Sequence, residues 1–160
     1  RFIWVGDGPM RAQIEKDNPD FVFCGIQRGE ALARHFASSD LFLFPSRSET
    51  YGNVTLEAMA SGVPTIAFDY GAAHEYLRDG EHGAAVRNDA SHGDDAFVSA
   101  AVHIATDPNL RAQMRLAARD AVSVLRPEQV AADFDAILQR LIRARTPHVP
   151  PIPASSVARE

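Results

Sequence analysis

Two glutamates, Glu49 and Glu57, stand on either side of the point where a polar loop turns into a helix. Between them lie Gly52 and the opening helical residues Asn53, Val54 and Thr55. The first amides of a helix have no partners inside it, and with the helix dipole they attract an anion. Glycine at Gly52 lets that anion come close to the backbone. Carboxylates beside an anion site make sense where each accepts hydrogen bonds from a ligand hydroxyl. A sugar nucleotide has that pattern, with a diphosphate for the amides, a ribose on one side and a hexose on the other. The plain alternatives are a loop carboxylate capping the helix at Glu49 and an exposed carboxylate in the first helical turns at Glu57. The helix dipole would stabilise the latter by well under ~1 kcal/mol.

The elements that must position these residues are legible around them. Residues 41–44 form an apolar run, expected to be a buried strand stopped by Pro45, and residues 46–52 are polar and turn-like. From Asn53, Leu56, Met59 and Ala60 fall on one helical face, Gly62 ends the helix, Pro64 follows, and a second strand starts at Thr65. Upstream, residues 1–5 read as a buried strand and 6–9 as a turn into a helix, with Pro9 at its first position. That turn, with Gly8 in it, is either a tight turn alone or a ligand-facing loop. It is not a dinucleotide fingerprint, because Arg11 stands where the third glycine should be. A strand over 20–24, the turn Gly25-Ile26-Gln27 and a helix over 29–38 come next. Downstream, 69–72 is a turn at the carboxyl end of a strand, where ligands sit in open α/β sheets. A turn at 79–83, a short strand over 84–86 and a polar loop over 88–95 lead to helices over about 96–106, 108–125 and 127–145. This alternation predicts an α/β fold, a Rossmann-like parallel sheet with flanking helices, in one domain over 1–145. Residues 146–160 are proline-rich and expected to be an extended or disordered tail.

Composition narrows the function. The 160 residues, 46% apolar, suffice for one real core, and a net charge of −5 argues against a nucleic-acid binder. The single cysteine, Cys24, excludes an internal disulfide and fits a reducing, cytoplasmic setting. No apolar stretch is long enough to span a bilayer, and no metal-ligand spacing of His, Cys or carboxylates stands out, so no metal is expected. Arg1 opens directly into a strand, from which a fragment lacking its preceding residues is expected.

The segment PSRSETYGNVTLEAMASGVPTIAF, carrying Glu49-x7-Glu57, resembles the donor-site signature of the GT4 group of GT-B glycosyltransferases. VGDGPMR (5–11), FVFCGI (21–26) and DYGAAHEYLRDGEHGAAV (69–86) resemble further stretches of that donor domain, in the family's order. The resemblance covers the first two thirds of the chain strongly. It implies the C-terminal, NDP-sugar-binding half of a retaining, metal-independent glycosyltransferase. Glu49 would face the hexose as the catalytic carboxylate and Glu57 the ribose. Gly52, Asn53, Val54, Thr55 and Tyr51 would lie at the donor, with Gly25 and Ile26 under the base and Gly8 in a ligand-facing loop. It also implies partners outside the chain: an acceptor-binding N-terminal domain and a basic pair on an earlier strand–loop. The isolated chain is therefore expected to bind donor weakly and transfer no sugar. The full-length enzyme could associate peripherally with the inner face of a membrane.

Where the family shows Gly-Gly and a glutamate, this chain has Gly71-Ala72 and Glu75, so the added methyl is expected to narrow the sugar pocket. His74 is adjacent and a candidate pocket residue, whereas His35 reads as a helix-surface or partly buried histidine. Arg111, Arg115 and Arg119 form a stripe read as a solvated helix face, with membrane or partner contact as the alternative. Two other readings stay open: a GT-B-fold sugar-nucleotide epimerase, and a non-catalytic binding domain that kept the fold.

Overall fold

A computed structural model describes residues 1–89 and 91–145; the expected tail over 146–160 lies outside the described residues. The chain divides into two units, Arg1–Val124 and one beginning at Leu125.

In the first unit short strands alternate with helices: β1 (Ile3–Val5), α1 (Arg11–Asp17), β2 (Val22–Gly25), α2 (Gly29–Ala37), β3 (Phe42–Phe44), α3 (Asn53–Ala60), β4 (Thr65–Phe68), α4 (Ala72–Tyr76), β5 (Gly83–Val86), α5 (Gly93–Thr106) and α6 (Pro108–Val122). Every strand pairing is parallel. β1 pairs with β2 in one sheet, and β3, β4 and β5 lie in that order in another. Parallel pairing puts the loops that follow the strands at one end, the position where α/β sheets hold ligands. In the second unit, α7 (Pro127–Arg145) carries Val130, Phe134, Ile137 and Leu141 at three- and four-residue spacing.

β4 is the buried centre of the larger sheet, with all four residues out of solvent. Ile66 and Phe68 face a cluster with Val86, Phe97, Ile104 and Met114, which seats α5 and α6 on the sheet. A second cluster joins Phe36 of α2, Ala58 of α3 and Val63, with Leu32 and Phe42 packed against it. The two clusters immobilise β3, β4 and α3, and with them the loop between β3 and α3.

Several expectations change. β1 is not buried: Phe2, Ile3 and Trp4 are 56%, 51% and 42% exposed. It pairs along one edge only, and its rings find shelter sideways, Phe2 stacking on Phe21 at 4.8 Å and Trp4 on Phe23 at 6.2 Å. Pro9 precedes α1 instead of opening it. The Arg11 N–H closes a turn onto the Gly8 carbonyl at 3.1 Å, and proline's fixed φ suits the inside of such a turn. α3 buries Thr55, Ala58 and Met59, leaving Ala60 exposed, so its inner face is rotated from the one expected. α5 begins at Gly93, within the segment expected to be a loop, with Asp94 and Asp95 favourably placed in its first turn. The 69–72 turn continues into the short helix α4.

The arginine stripe of α6 is not simply solvated. Arg111 donates to the carbonyls of Ile104 (3.1 Å) and Ala105 near the end of α5, and Arg115 to the Ser39 carbonyl (2.9 Å) just past α2. Two of the three arginines thus satisfy carbonyls that helix ends leave open, where positive charge is favoured. Only Arg119 is left fully on the outside.

Candidate functional site

The loop from Pro45 to Gly52 leaves the carboxyl end of β3 and delivers the chain into α3. Gly52 takes a left-handed conformation, φ +87° and ψ +46°, immediately before the helix. That conformation strains any residue with a Cβ, so glycine is the residue the turn requires. Among the described residues no side chain caps α3. The amides of Gly52, Asn53 and Val54 have no partner among the described residues, and they form an open N-terminal cluster. Thr55 departs from the expectation: its amide donates to the Gly52 carbonyl at 3.0 Å, and the residue is 1% exposed. Three open amides remain, not four.

Glu49 is half-buried, and one carboxylate oxygen accepts from the Ser46 hydroxyl at 2.7 Å. Its Cγ lies 3.8 Å from the place a Cβ on Gly52 would occupy, so it folds back over the start of the helix. It does not cap α3, which removes the plain structural account of a glutamate there. Glu57 is exposed in the second turn of α3, and its carboxylate has no partner among the described residues. No acidic residue occupies the first turn, where the dipole acts most strongly, so stabilisation of the helix end accounts poorly for Glu57.

The loop is anchored to its neighbours. The Tyr51 carbonyl accepts from the Ala72 N–H at 2.7 Å, and the Tyr51 hydroxyl donates to Glu75 at 2.8 Å. Arg47 lies over the Phe68 ring at 4.5 Å and donates to Asn88 at 2.5 Å and Asp94 at 2.6 Å. It thereby links the β3–α3 loop to the ends of β4 and β5 and to the first turn of α5. Ala72 is fully buried, so its methyl does not face an open sugar pocket. His74 is exposed and spends Nδ1 on Asp69 at 2.8 Å. Among the described histidines the buried one is His82, whose Nδ1 lies 3.0 Å from the Tyr76 carbonyl and 3.2 Å from the Arg78 amide.

Past β5, Asp89 accepts from the amides of Ser91 (2.7 Å) and His92 (3.0 Å), which hold its carboxyl below the ordinary value. A depressed folded pKa contributes stability above the unfolded value of about 3.9 and loses it as pH falls through the folded one. Acidification below pH ~4 should therefore loosen this turn. An NMR titration that puts Asp89 at or above the free-peptide value would contradict this.

Gly8 lies in the turn after β1, Gly25 ends β2 and Ile26 follows it. The Gly6 amide donates to the Gly25 carbonyl at 2.8 Å, tying the two loops together. A Cβ at Gly8 would meet nothing within 4 Å, and Ile26 is 61% exposed, so both face open space. Among the described residues no hydrogen bond joins this group to the Glu49–Gly52 loop. An open cleft of about 590 Å³ runs along β5, α5 and α6, lined by Val86, Arg87, His103 and Met114 among others. It holds none of Glu49, Gly52 or Glu57. Concavity alone therefore points away from the open amides, and the chemistry of the β3–α3 loop is the better guide. Among the described residues, no group of three or more His, Cys, Asp or Glu side chains could hold a metal ion.

Residues 1–107 match the family described as glycosyl transferases group 1. The chain belongs to that family. One relative, the GDP-mannose-dependent alpha-mannosyltransferase of Corynebacterium glutamicum, is 40% identical over 83 residues, covering 52% of this chain and 20% of the relative. The N-acetyl-alpha-D-glucosaminyl L-malate synthase of Bacillus anthracis is 31% identical over 150 residues, covering 89% of this chain and 38% of the relative. The chain thus spans well under half of these relatives' length. Among solved structures, the sucrose-phosphate synthase of Thermosynechococcus elongatus aligns with a TM-score of 0.72 at 27% identity, over 89% of this chain and 38% of that one. The C-terminal domain of a group 1 glycosyl transferase from Francisella tularensis aligns with a TM-score of 0.59 at 24% identity, over 71% of this chain and 60% of that one. The group 1 domain therefore has a parallel α/β fold like that of this C-terminal domain. No helix among its described residues is long and apolar enough to cross a membrane.

Proposed function

We propose that this group 1 domain binds the nucleotide-sugar donor of a retaining hexosyltransferase, which passes the hexose to a sugar, lipid or other hydroxyl acceptor. The observation that carries the reading is the β3–α3 turn. There, three amides at Gly52, Asn53 and Val54, without partners among the described residues, open onto the same loop that holds Glu49, and Glu57, likewise without a partner among them, stands on the outer face of α3. The amides take the diphosphate. Glu57 accepts from ribose hydroxyls, and Glu49 accepts from hexose hydroxyls. A carboxylate in Glu49's place also stabilises positive charge as it develops on the sugar during departure of the diphosphate. Gly8, Gly25 and Ile26 serve the base side, where backbone groups hold the nucleotide. The acceptor and the remaining diphosphate contacts come from parts of the full-length protein outside this chain. Residues 1–160 alone are accordingly proposed to bind donor weakly and to transfer no sugar. A radiolabelled-donor assay showing multiple turnovers by this chain would overturn that point.

Nucleotide-sugar titration is the direct test. Calorimetry with GDP-mannose, UDP-N-acetylglucosamine, the matching diphosphates and the free sugars should show binding that requires the diphosphate. Binding of none of these would leave only a domain that kept the fold. The division of labour is tested by Glu49→Ala. It should spare the bare diphosphate and weaken the intact donor about tenfold or more, the scale of a lost charge-assisted hydrogen bond. Equal losses for both ligands would mean that Glu49 does not serve the hexose.

A further inference from the structure

We infer that Tyr51 and Glu75 form a positioning pair, which sets the backbone of the Glu49–Gly52 turn and so aims Glu49 at the sugar of the donor. This rests on the donor-binding reading above, but it changes the part of Tyr51: the resemblance puts it at the donor, whereas its carbonyl and hydroxyl are both taken up by α4, so it acts with Glu75 through the turn.

Tyr51 lies between Glu49 and the left-handed Gly52, and α4 holds it at both ends. Its carbonyl accepts from the Ala72 N–H at 2.7 Å, and its hydroxyl donates to a Glu75 carboxylate oxygen at 2.8 Å. Gly71 brings the segments this close: a Cβ there would stand 2.3 Å from the Tyr51 carbonyl oxygen, and its φ of +56° already lies in the left-handed region. The contact therefore leaves no slack on the backbone side, and the phenol–carboxylate bond determines whether the tyrosine can rotate about it. Glu49, by contrast, bonds among the described residues only within its own loop, to Ser46. Ser46 can shape the Glu49 side chain but cannot fix the loop against the rest of the sheet. Arg47 anchors the near end of the loop, to Asn88 and Asp94, and Tyr51 anchors the far end, where α3 begins. Burial and the bond to Glu75 both raise the phenol's pKa, so it stays a donor through the neutral range.

The pair makes a prediction that a merely structural contact does not. Tyr51→Phe removes the donor without changing the ring, and Glu75→Ala removes the acceptor. Each should weaken intact GDP-mannose or UDP-N-acetylglucosamine, whichever the wild type binds, by about five- to tenfold. Affinity for the matching diphosphate should change by less than about twofold, because the amides of α3 stay in place. Glu75→Gln keeps an acceptor oxygen and should recover most of the donor affinity. The double variant should be no worse than either single one, as expected for two halves of one interaction. Affinity for the intact donor unchanged in Tyr51→Phe, or donor and diphosphate affinities falling together with the melting temperature, overturns the pair and leaves the donor-binding reading intact. A wild-type chain that binds neither diphosphate nor donor overturns both.

Discussion

Gly83→Ala should cost roughly 4 kcal/mol or more of folding stability, against a total of about 5–15 kcal/mol for a domain. Gly83 opens β5 and stands in register with Thr65, the first residue of the fully buried β4. A Cβ at Gly83 would lie 1.8 Å from the Thr65 carbonyl oxygen and 2.7 Å from its carbonyl carbon and amide nitrogen, with the backbone at φ +150°. All three atoms are main chain, so no side chain can swing aside. Relief requires β4 and β5 to part, which would open the cluster of Ile66, Phe68, Ala84 and Val86. Gly80→Ala is the control. Its φ is +77° but nothing lies within 4 Å of its Cβ position, so it should cost only backbone strain, about 1–2 kcal/mol. Urea denaturation of the three chains decides the matter, and equal midpoints for the two variants would contradict the clash. Since β4 carries Phe68, over which Arg47 sits, a loosened β4–β5 pair should also slacken the loop holding Glu49.

The part of the fold around the candidate site was readable from the chain because its signals are local. Pro45, Gly52, Gly62 and Pro64 punctuate the segment at the points where strand, loop and helix change, and each acts through its own backbone. The open amides of Gly52 to Val54 follow from helix geometry alone. What was hidden depends on neighbours distant in sequence. Tyr51 and Glu75 are 24 positions apart, Arg47 and Asp94 47 apart, and Arg115 and Ser39 76 apart, and no periodicity encodes such pairs. The apolar run at residues 1–5 shows the same limit from the other side. Its composition states that it is a strand, but burial depends on what packs against it, and β1 has a partner on one edge only. The amide of Thr55 was lost to a choice within one turn, where a tight bond back to Gly52 replaces an open N–H. At the start of α5 the polar run 91–95 looks like a loop, yet it carries the acids a helix prefers in its first turn.

Glu57→Ala is expected to separate binding from stability. In the protein as it stands, the Glu57 carboxylate is exposed and has no partner among the described residues, so its removal abandons no internal bond. It lies beyond the first turn of α3, where the dipole's hold on a carboxylate has faded, and alanine is the better helix former. Folding stability should therefore stay within about 0.5 kcal/mol of the wild type, the range of an ordinary surface substitution. Binding should behave otherwise. If Glu57 accepts from ribose hydroxyls, the lost charge-assisted bonds are worth about 1.5–3 kcal/mol, tenfold or more in affinity. The ribose belongs to both ligands, so the bare diphosphate and the intact donor should weaken alike. That distinguishes Glu57→Ala from Glu49→Ala, which should weaken only the intact donor, and from Gly83→Ala, which should lose binding through loss of the fold. Paired calorimetry and thermal melts provide the comparison. Unchanged diphosphate affinity in Glu57→Ala would remove Glu57 from the donor site. A matching fall in melting temperature would show that the carboxylate serves α3 itself.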